Sequence, residues 1–350
     1  MDIFGDMIAS HPSSSARTVA VCADGLGRNR ALNNLIIEML EREHATCATL
    51  LVAAPAADHA LRALAAVGID PGRILLGFAI SSQGPGAPWR AVAAHASSLT
   101  DRGGRYLSAE ESTAPPQLVR EDILTELAAQ FSWMEDRGYR PAGIAGPCYG
   151  RDFRGRGLVI DCALEFCGRV GVPLRYARRG DPLLAASRYL EDRGASSGKG
   201  AAGRHANSGT DAEVASAHAR RVERADTLGV LLPNDVVFFP PEFPAESYGE
   251  LRHAYLSALE ECAGPAIQVV FTPAREDSGA GRGEWETRLM RDPSFLRAVA
   301  RARCADVQGI STVSAGSKAT LKVVEGKLVA ASDTRFDDDV MHNVIDDMRK

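Results

Sequence analysis

The sequence predicts an α/β fold built on a parallel sheet or barrel. Short, charge-free runs rich in β-branched residues alternate with helical stretches that carry one apolar face. No hairpin turn joins one such run to the next, so the runs pair in parallel through helical crossovers. The 350 residues, 45% hydrophobic and 24% charged, suffice to bury a core of that size.

The first unit is TVAVCADGLGRNRALNNLIIEMLERE, from Thr18 to Glu43. Its opening, Val19 to Cys22, reads as a buried strand. Leu32, Leu35, Ile36, Met39 and Leu40 then follow helical spacing, with Arg30, Asn33, Asn34 and Glu38 off that face. Asp24 falls where the strand gives way to the turn, and Gly25 and Gly27 let the backbone bend behind it. Strand ends of this kind are where α/β proteins keep their chemistry.

Ala48 to Ala54 reads as a second strand, followed by a helix with Leu61 and Leu64 inward and Gly68 as its stop. Ile74 to Ile80 is the third strand, and the glycine- and proline-rich SSQGPGAPW follows it. The mixed stretch from Trp89 to Pro116 reads as loops over one face. A long helix begins near Leu118, with Ile123, Leu124, Leu127, Phe131 and Met134 inward and Gly138 as its stop. RPAGIAGPCYGRDFRGRG comes next and reads as a site loop, because it is polar and follows a strand. A helix from Leu158 to Val170 leads through Gly171 and Pro173 into the strand PLRYA.

Residues 191–215, rich in glycine, serine and alanine, read as a mobile insertion. The fold resumes with LGVLLPNDVVFFP, a helix from Tyr248 to Cys262 and the strand Ala266 to Phe271. Asp292-Pro293 starts a last helix through Phe295 and Val299, the aspartate capping it and the proline sitting in its first turn. The expected organisation is a loose leader over residues 1–17, one domain over 18–330 and an acidic tail from 331.

A net charge of -5 argues against a general nucleic-acid or anionic-membrane binder. The seven cysteines contain no CxxC pair, which suits a reducing compartment better than a disulfide framework or a thiolate zinc site. No stretch is long and apolar enough to span a bilayer, so a cytoplasmic protein is expected. Its expected partner is a small, sugar-like molecule, and a homodimer is a further expectation.

Asp24 is the candidate catalytic residue, as a general base or substrate-orienting carboxylate; capping the turn is its structural alternative. Cys148, Tyr149, Arg151 and Asp152 lie in the site loop and are candidate substrate-binding residues. Arg151 can clamp a carboxylate or phosphate, or pair with Asp152 or Glu165. Cys148 is a nucleophile or an inert thiol, with no histidine near it in sequence. Thr272 and Arg275 end the late strand and complete the set with Arg175, which follows the strand residue Leu174. None of the eight histidines shows ligand spacing such as HxxxH, and they read as helix or surface residues.

The order of these pieces resembles the YdjC-like carbohydrate deacetylases, the ChbG/HpnK family. The resemblance covers roughly Thr18 to Ser311. It rests on VCADGLGRNRALNNLIIEMLEREHATCATLLVAAPA, GRYLSAEE, RPAGIAG, VGVPLRYAR, LGVLLPND, IQVVFTPAR and RDPSFLRAVA. It implies a distorted, TIM-like (β/α) barrel of mostly parallel strands and metal-dependent removal of an acetyl group from an N-acetylated sugar. It also implies that Arg175 matches an arginine of the family pattern. The family opens with Asp-Asp-Phe-Gly, a base and then a metal ligand, but here Gly25 follows Asp24. The family's first histidine falls on Ala79, its histidine cluster on Ala145 to Arg151, and its late His-Pro-Gly on Thr272-Pro273-Ala274.

A hydrolytic metal needs about three carboxylate or imidazole ligands with a position left for water. Glycine and alanine supply none, so neither a metal nor another cofactor is expected. The leading expectation is a metal-independent enzyme acting on a sugar-like or acyl-amide molecule. The alternatives are a non-catalytic ligand-binding or partner subunit, and a metal-dependent deacetylase whose ligands lie elsewhere in the chain.

Overall fold

The structure is a computed structural model that describes residues 17–82, 89–107, 118–146, 156–180, 211–239, 243, 245–262, 264–274, 281–304, 321–324 and 327–330. Six strands form one parallel sheet: β1 (Thr18–Leu26), β2 (Cys47–Leu50), β3 (Ile74–Gly77), β4 (Ile144–Ala145), β5 (Asp235–Val237) and β6 (Ala266–Phe271). Their order is β4-β3-β2-β1-β6-β5. The sheet curls, and the segment Pro173–Arg178 runs between its two edge strands. On one side Ile144 N–H donates to Pro173 O (2.9 Å) and Arg175 N–H to Ile144 O (2.8 Å). On the other, Leu174 N–H donates to Leu231 O (3.0 Å) and Arg178 N–H to Pro233 O (2.9 Å), just ahead of β5. The result is the distorted barrel that the resemblance implies. A separate antiparallel pair, β7 (Leu321–Val324) and β8 (Lys327–Ala330), lies late in the chain and was not foreseen from the sequence.

The helices among the described residues are α1 (Arg30–Glu41), α2 (Ala57–Ala66), α3 (Arg120–Glu135), α4 (Arg156–Val170), α5 (Asp211–Leu228), α6 (Tyr248–Glu261), α7 (Gly281–Met290) and α8 (Pro293–Cys304). Alternation along β1 sorts its side chains. Val19, Val21 and Ala23 join the large core against the helices, while Ala20 and Cys22 join a small cluster with Cys47, Leu75, Ala142 and Ala145 inside the curl. The faces predicted for α1 and α3 are the buried ones. Asp292 caps α8, its carboxylate accepting from Ser294 N–H at 2.7 Å.

Several sequence expectations shift. Strands two and three stop at Leu50 and Gly77, short of the predicted ends, and β1 continues through Asp24 with an irregularity between Asp24 and Leu26. PLRYA is extended and bonded on both sides but makes only an isolated bridge to Ile144. The predicted insertion ended at residue 215, yet α5 already begins at Asp211; residues 191–210 lie outside the described residues. Helix α5 was missed because its inward face is built from small or polar residues, Ala225 and His218, which leave no long apolar stripe. His218 is therefore not a surface histidine: its Nε2 lies 2.7 Å from Ala177 O. Helix α7 was missed as well; it is mostly polar, and its buried residues include Glu286 and Thr287. The expected leader up to residue 16 and the tail from 331 lie outside the described residues.

The loop joining β1 to α1 is tied down by Asn33, a fully buried side chain on the face that the periodicity had assigned outward. Its Oδ1 accepts from Gly27 N–H at 2.7 Å, and its Nδ2 donates to Ala56 O at 3.0 Å. Gly27 has φ +97°, and a Cβ there would lie 2.5 Å from Leu51 O, so the turn requires glycine. Asn33→Ala leaves the buried Gly27 N–H unsatisfied, while Ala56 O keeps its bond from Ala60 N–H (3.0 Å), and is expected to cost about 1–3 kcal/mol. Urea unfolding checks this, and an unchanged midpoint would contradict the role given to Asn33.

Candidate functional site

Asp24 emerges from β1 at the level where β2 and β6 also end: it pairs with Thr49, and Ala23 pairs with Phe271. Its side chain keeps 24% of its surface exposed, whereas that of Arg175 keeps 1%. Arg175 enters the barrel from the bridging segment and reaches across to β1. Its Nη1 donates to both carboxylate oxygens of Asp24, at 2.7 and 3.0 Å. Its Nε donates to Gln268 Oε1 of β6 at 3.2 Å, and its Nη2 to Cys22 Sγ at 2.7 Å. Thr49 Oγ1 donates to Asp24 Oδ1 at 3.0 Å. Cys22, which the guanidinium touches, belongs to an interior cluster that is small apart from Leu75: Ala20, Cys22, Cys47, Ala142 and Ala145.

A second guanidinium lies over the turn. A Cβ built on Gly25 would sit 3.7 Å from Arg28 Cδ, 3.8 Å from Arg28 Nε and 3.1 Å from Leu32 Cδ2, and Gly25 itself has φ +121°. Arg28 thus covers the residue beside Asp24. Burial draws its guanidinium below the ordinary arginine range, and the Asp24 charge opposes that.

The surrounding loops are held by two buried carboxylates that the sequence reading overlooked. Glu126 of α3 accepts from Val92 N–H (3.0 Å), Ala93 N–H (2.8 Å) and Tyr106 O–H (2.5 Å). Gln130, one turn on, bonds both backbone groups of Ala79, accepting from its N–H (3.1 Å) and donating to its carbonyl (2.6 Å). Ala79 is thereby fixed after β3. Glu286 of α7 accepts from Thr272 N–H (2.5 Å) and Tyr255 O–H (3.1 Å) and pairs with Arg282 (3.1 Å). Burial pushes the Glu286 carboxyl up, against the pull of Arg282. Charged residues at helical spacing with apolar neighbours were the one available signal for both.

Of the sequence-predicted residues, the fold brings Asp24 and Arg175 into direct contact and sets Thr272 one residue beyond the β1–β6 pairing, half-buried at the same strand ends. Cys148, Tyr149, Arg151, Asp152 and Arg275 lie outside the described residues. Glu165, one proposed partner of Arg151, pairs with Arg120, Arg169 and Arg224. Among the described residues no group of three or more His, Cys, Asp or Glu could hold a metal ion. None of the described helices is long and apolar enough to cross a membrane.

A profile of YdjC-like proteins matches residues 18–301. The chain belongs to the YdjC-like family. No curated protein matches the chain. Among solved structures, a similar chain is a protein of Enterococcus faecalis V583 described as a cellobiose-phosphate cleavage protein. It is 17% identical, the likeness covers 82% of this chain and 95% of that one, and the TM-score is 0.56. At that identity the likeness speaks for the fold.

The Asp24–Arg175 pair lends itself to test. Removing the carboxylate leaves a nearly inaccessible guanidinium short of its counter-charge, whereas removing the guanidinium leaves a carboxylate that still reaches water. Asp24→Ala is expected to cost about 3–5 kcal/mol, the range for breaking a buried pair, and Arg175→Met less. Equal losses, read by chemical denaturation, would show that the two ends are equally sheltered.

Proposed function

We propose that this YdjC-like protein acts on a sugar-like or acyl-amide small molecule without a catalytic metal. The observation that carries the reading is the chemistry around Asp24. Both of its oxygens already accept from Arg175, Gly25 offers no ligand atom, and Arg28 brings positive charge across it. Ala79 presents only a methyl group. One carboxylate flanked by guanidinium groups is a poor host for a divalent cation, which needs about three ligands and gains nothing from neighbouring positive charge. The described residues therefore do not fit the metal that the family resemblance implies. The sugar-like substrate class is supported by that resemblance and by the description of the Enterococcus faecalis protein.

In this reading the exposed edge of Asp24 accepts a hydrogen bond, and in the reactive complex a proton, from a substrate hydroxyl or a water. Arg175 fixes the orientation of the carboxylate from below. Thr272, at the neighbouring strand end, supplies a further polar contact, and Cys148, Tyr149, Arg151, Asp152 and Arg275 are the remaining proposed contacts. A second reading, binding without turnover, is favoured by the extent to which Asp24 is already engaged: Thr49 Oγ1 and Arg175 Nη1 together make three hydrogen bonds to its two oxygens.

The deciding measurement is turnover of acylated and phosphorylated sugars with and without chelator. Activity that survives chelation and falls by 10²-fold or more, roughly, in Asp24→Asn supports the enzyme reading. Tight binding with no turnover supports the second, and stoichiometric zinc that restores activity defeats both. Introducing the missing carboxylate as Gly25→Asp is expected not to create a metal site, because the backbone there has positive φ and Arg28 occupies the adjoining space. Metal content after dialysis against zinc checks this, and one bound zinc per chain would contradict it.

A further inference from the structure

Beneath Asp24, Cys22 of β1 and Cys47 of β2 are direct register partners on adjacent parallel strands. Both thiols are free, fully buried and turned to the inside of the barrel within one small cluster. We propose that Cys22 and Cys47 form a reversible dithiol–disulfide couple, oxidised by a hydroperoxide, that resets the Asp24–Arg175 pair above it. The proposal does not depend on the functional reading given above.

The geometry allows the bond and makes it labile. Neighbouring strands lie about 4.8 Å apart, inside the Cα separation that a disulfide accepts, but partners standing parallel on one face hold their Cβ atoms at or beyond the upper end of the preferred range. Such a bond is strained, and strained disulfides are the reducible, regulatory ones. The surroundings set the roles. Arg175 Nη2 lies 2.7 Å from Cys22 Sγ, Cys22 in turn faces Asp24 Oδ1 at 3.5 Å, and Gln268 Nε2 lies 4.0 Å from Cys47 Sγ. The contact from Cys22 and the Arg175 charge hold the Cys47 thiol below its ordinary value, while burial and the contact with Cys47 push that of Cys22 up. Cys22 Sγ is already engaged by Arg175 and Asp24, whereas the contacts of Cys47 Sγ with Thr46, Val21 and Gln268 all lie at 4.0 Å, so Cys47, the less engaged sulfur, makes the attack and Cys22 resolves.

In the first step the Cys47 thiolate attacks one peroxide oxygen. The O–O bond breaks, the other oxygen leaves as water after taking up a proton, and Cys47 becomes a sulfenic acid. In the second step the Cys22 sulfur attacks the Cys47 sulfur, hydroxide leaves and takes the Cys22 proton to form water, and the disulfide closes. Two electrons pass from the two sulfurs to the peroxide, and an external dithiol returns them. Burial restricts the oxidant to a molecule as small as hydrogen peroxide. Once bonded to Cys47, the Cys22 sulfur is drawn away from Arg175 Nη2 and Asp24 Oδ1, so the guanidinium loses an acceptor and the carboxylate a donor.

Hydrogen peroxide treatment of the folded, full-length protein, followed by alkylation in denaturant and tryptic peptide mapping, tests this directly. The expected product joins Thr18–Arg28 to Glu43–Arg62, each holding one cysteine, with the loss of two hydrogens and recovery of both free peptides on treatment with dithiothreitol. Cys22→Ser is expected to leave Cys47 as a trappable sulfenic acid, and Cys47→Ser to leave Cys22 reduced. A linkage between other cysteines, peroxidation of Cys47 beyond the sulfenic state in the wild-type chain, or full alkylation of both thiols after prolonged exposure would overturn the proposal. Thermal unfolding of the oxidised and reduced forms gives the second readout: a shifted midpoint is expected in the wild type and none in Cys47→Ser.

Discussion

The ion pair between Arg175 and Asp24 is the constraint around which the barrel interior is arranged. A guanidinium withdrawn from water costs several kcal/mol unless charge and hydrogen bonds replace what it loses. Here the replacement comes from β1 and β6: the Asp24 carboxylate, Gln268 Oε1 and Cys22 Sγ. Each is a side chain that alternation turns inward, and the alanines and cysteines around them keep the space clear. The long cation is accommodated where β1 carries Ala20 and Cys22, while Leu75, Val236 and Val270 fill other parts of the interior with ordinary aliphatic bulk.

The same solution recurs at the periphery. Loops at the mouth of a barrel have backbone N–H groups with no strand to receive them. Glu126 takes two from the segment after Trp89, and Glu286 takes that of Thr272. Both carboxylates project from helices packed behind the sheet, and both are further bound by a tyrosine, Tyr106 or Tyr255. The strand ends next to Asp24 are in this way positioned by acids that never face the site. Mobility of the mouth is reduced where those acids reach, at Ala79 through Gln130 and at Thr272.

What was legible in the sequence followed hydrophobic period. Strand β6 was recovered to the residue, and α3 and α8 with their inward faces, because their apolar residues recur at spacings that only one element satisfies. Helices α5 and α7 escaped, since the first buries Ala225 and His218 and the second buries Glu286 and Thr287 beside only Leu289 and Met290, which leaves no long apolar stripe in either. Asn33 was turned outward because it is polar. At the site, Asp24 was legible from its place at a strand end. Its engagement by Arg175 was not, because the two are 151 residues apart and meet only once the sheet curls. The buried tie from α3 to Ala79 is hidden similarly, by a separation of 51 residues.

The segment carrying Arg175 is also the seam of the barrel. Its neighbours are a strand of two residues on one side and the approach to β5 on the other, so few ladder bonds hold it there. The cation of the site thus comes from this seam and its counter-charge from β1, across the barrel. A molecule bound to the exposed edge of Asp24 would brace the seam through that pair, and the free energy of its binding would register as resistance to unfolding. Small-molecule collections could accordingly be sorted by melting temperature alone, before any chemistry has been assigned to the site.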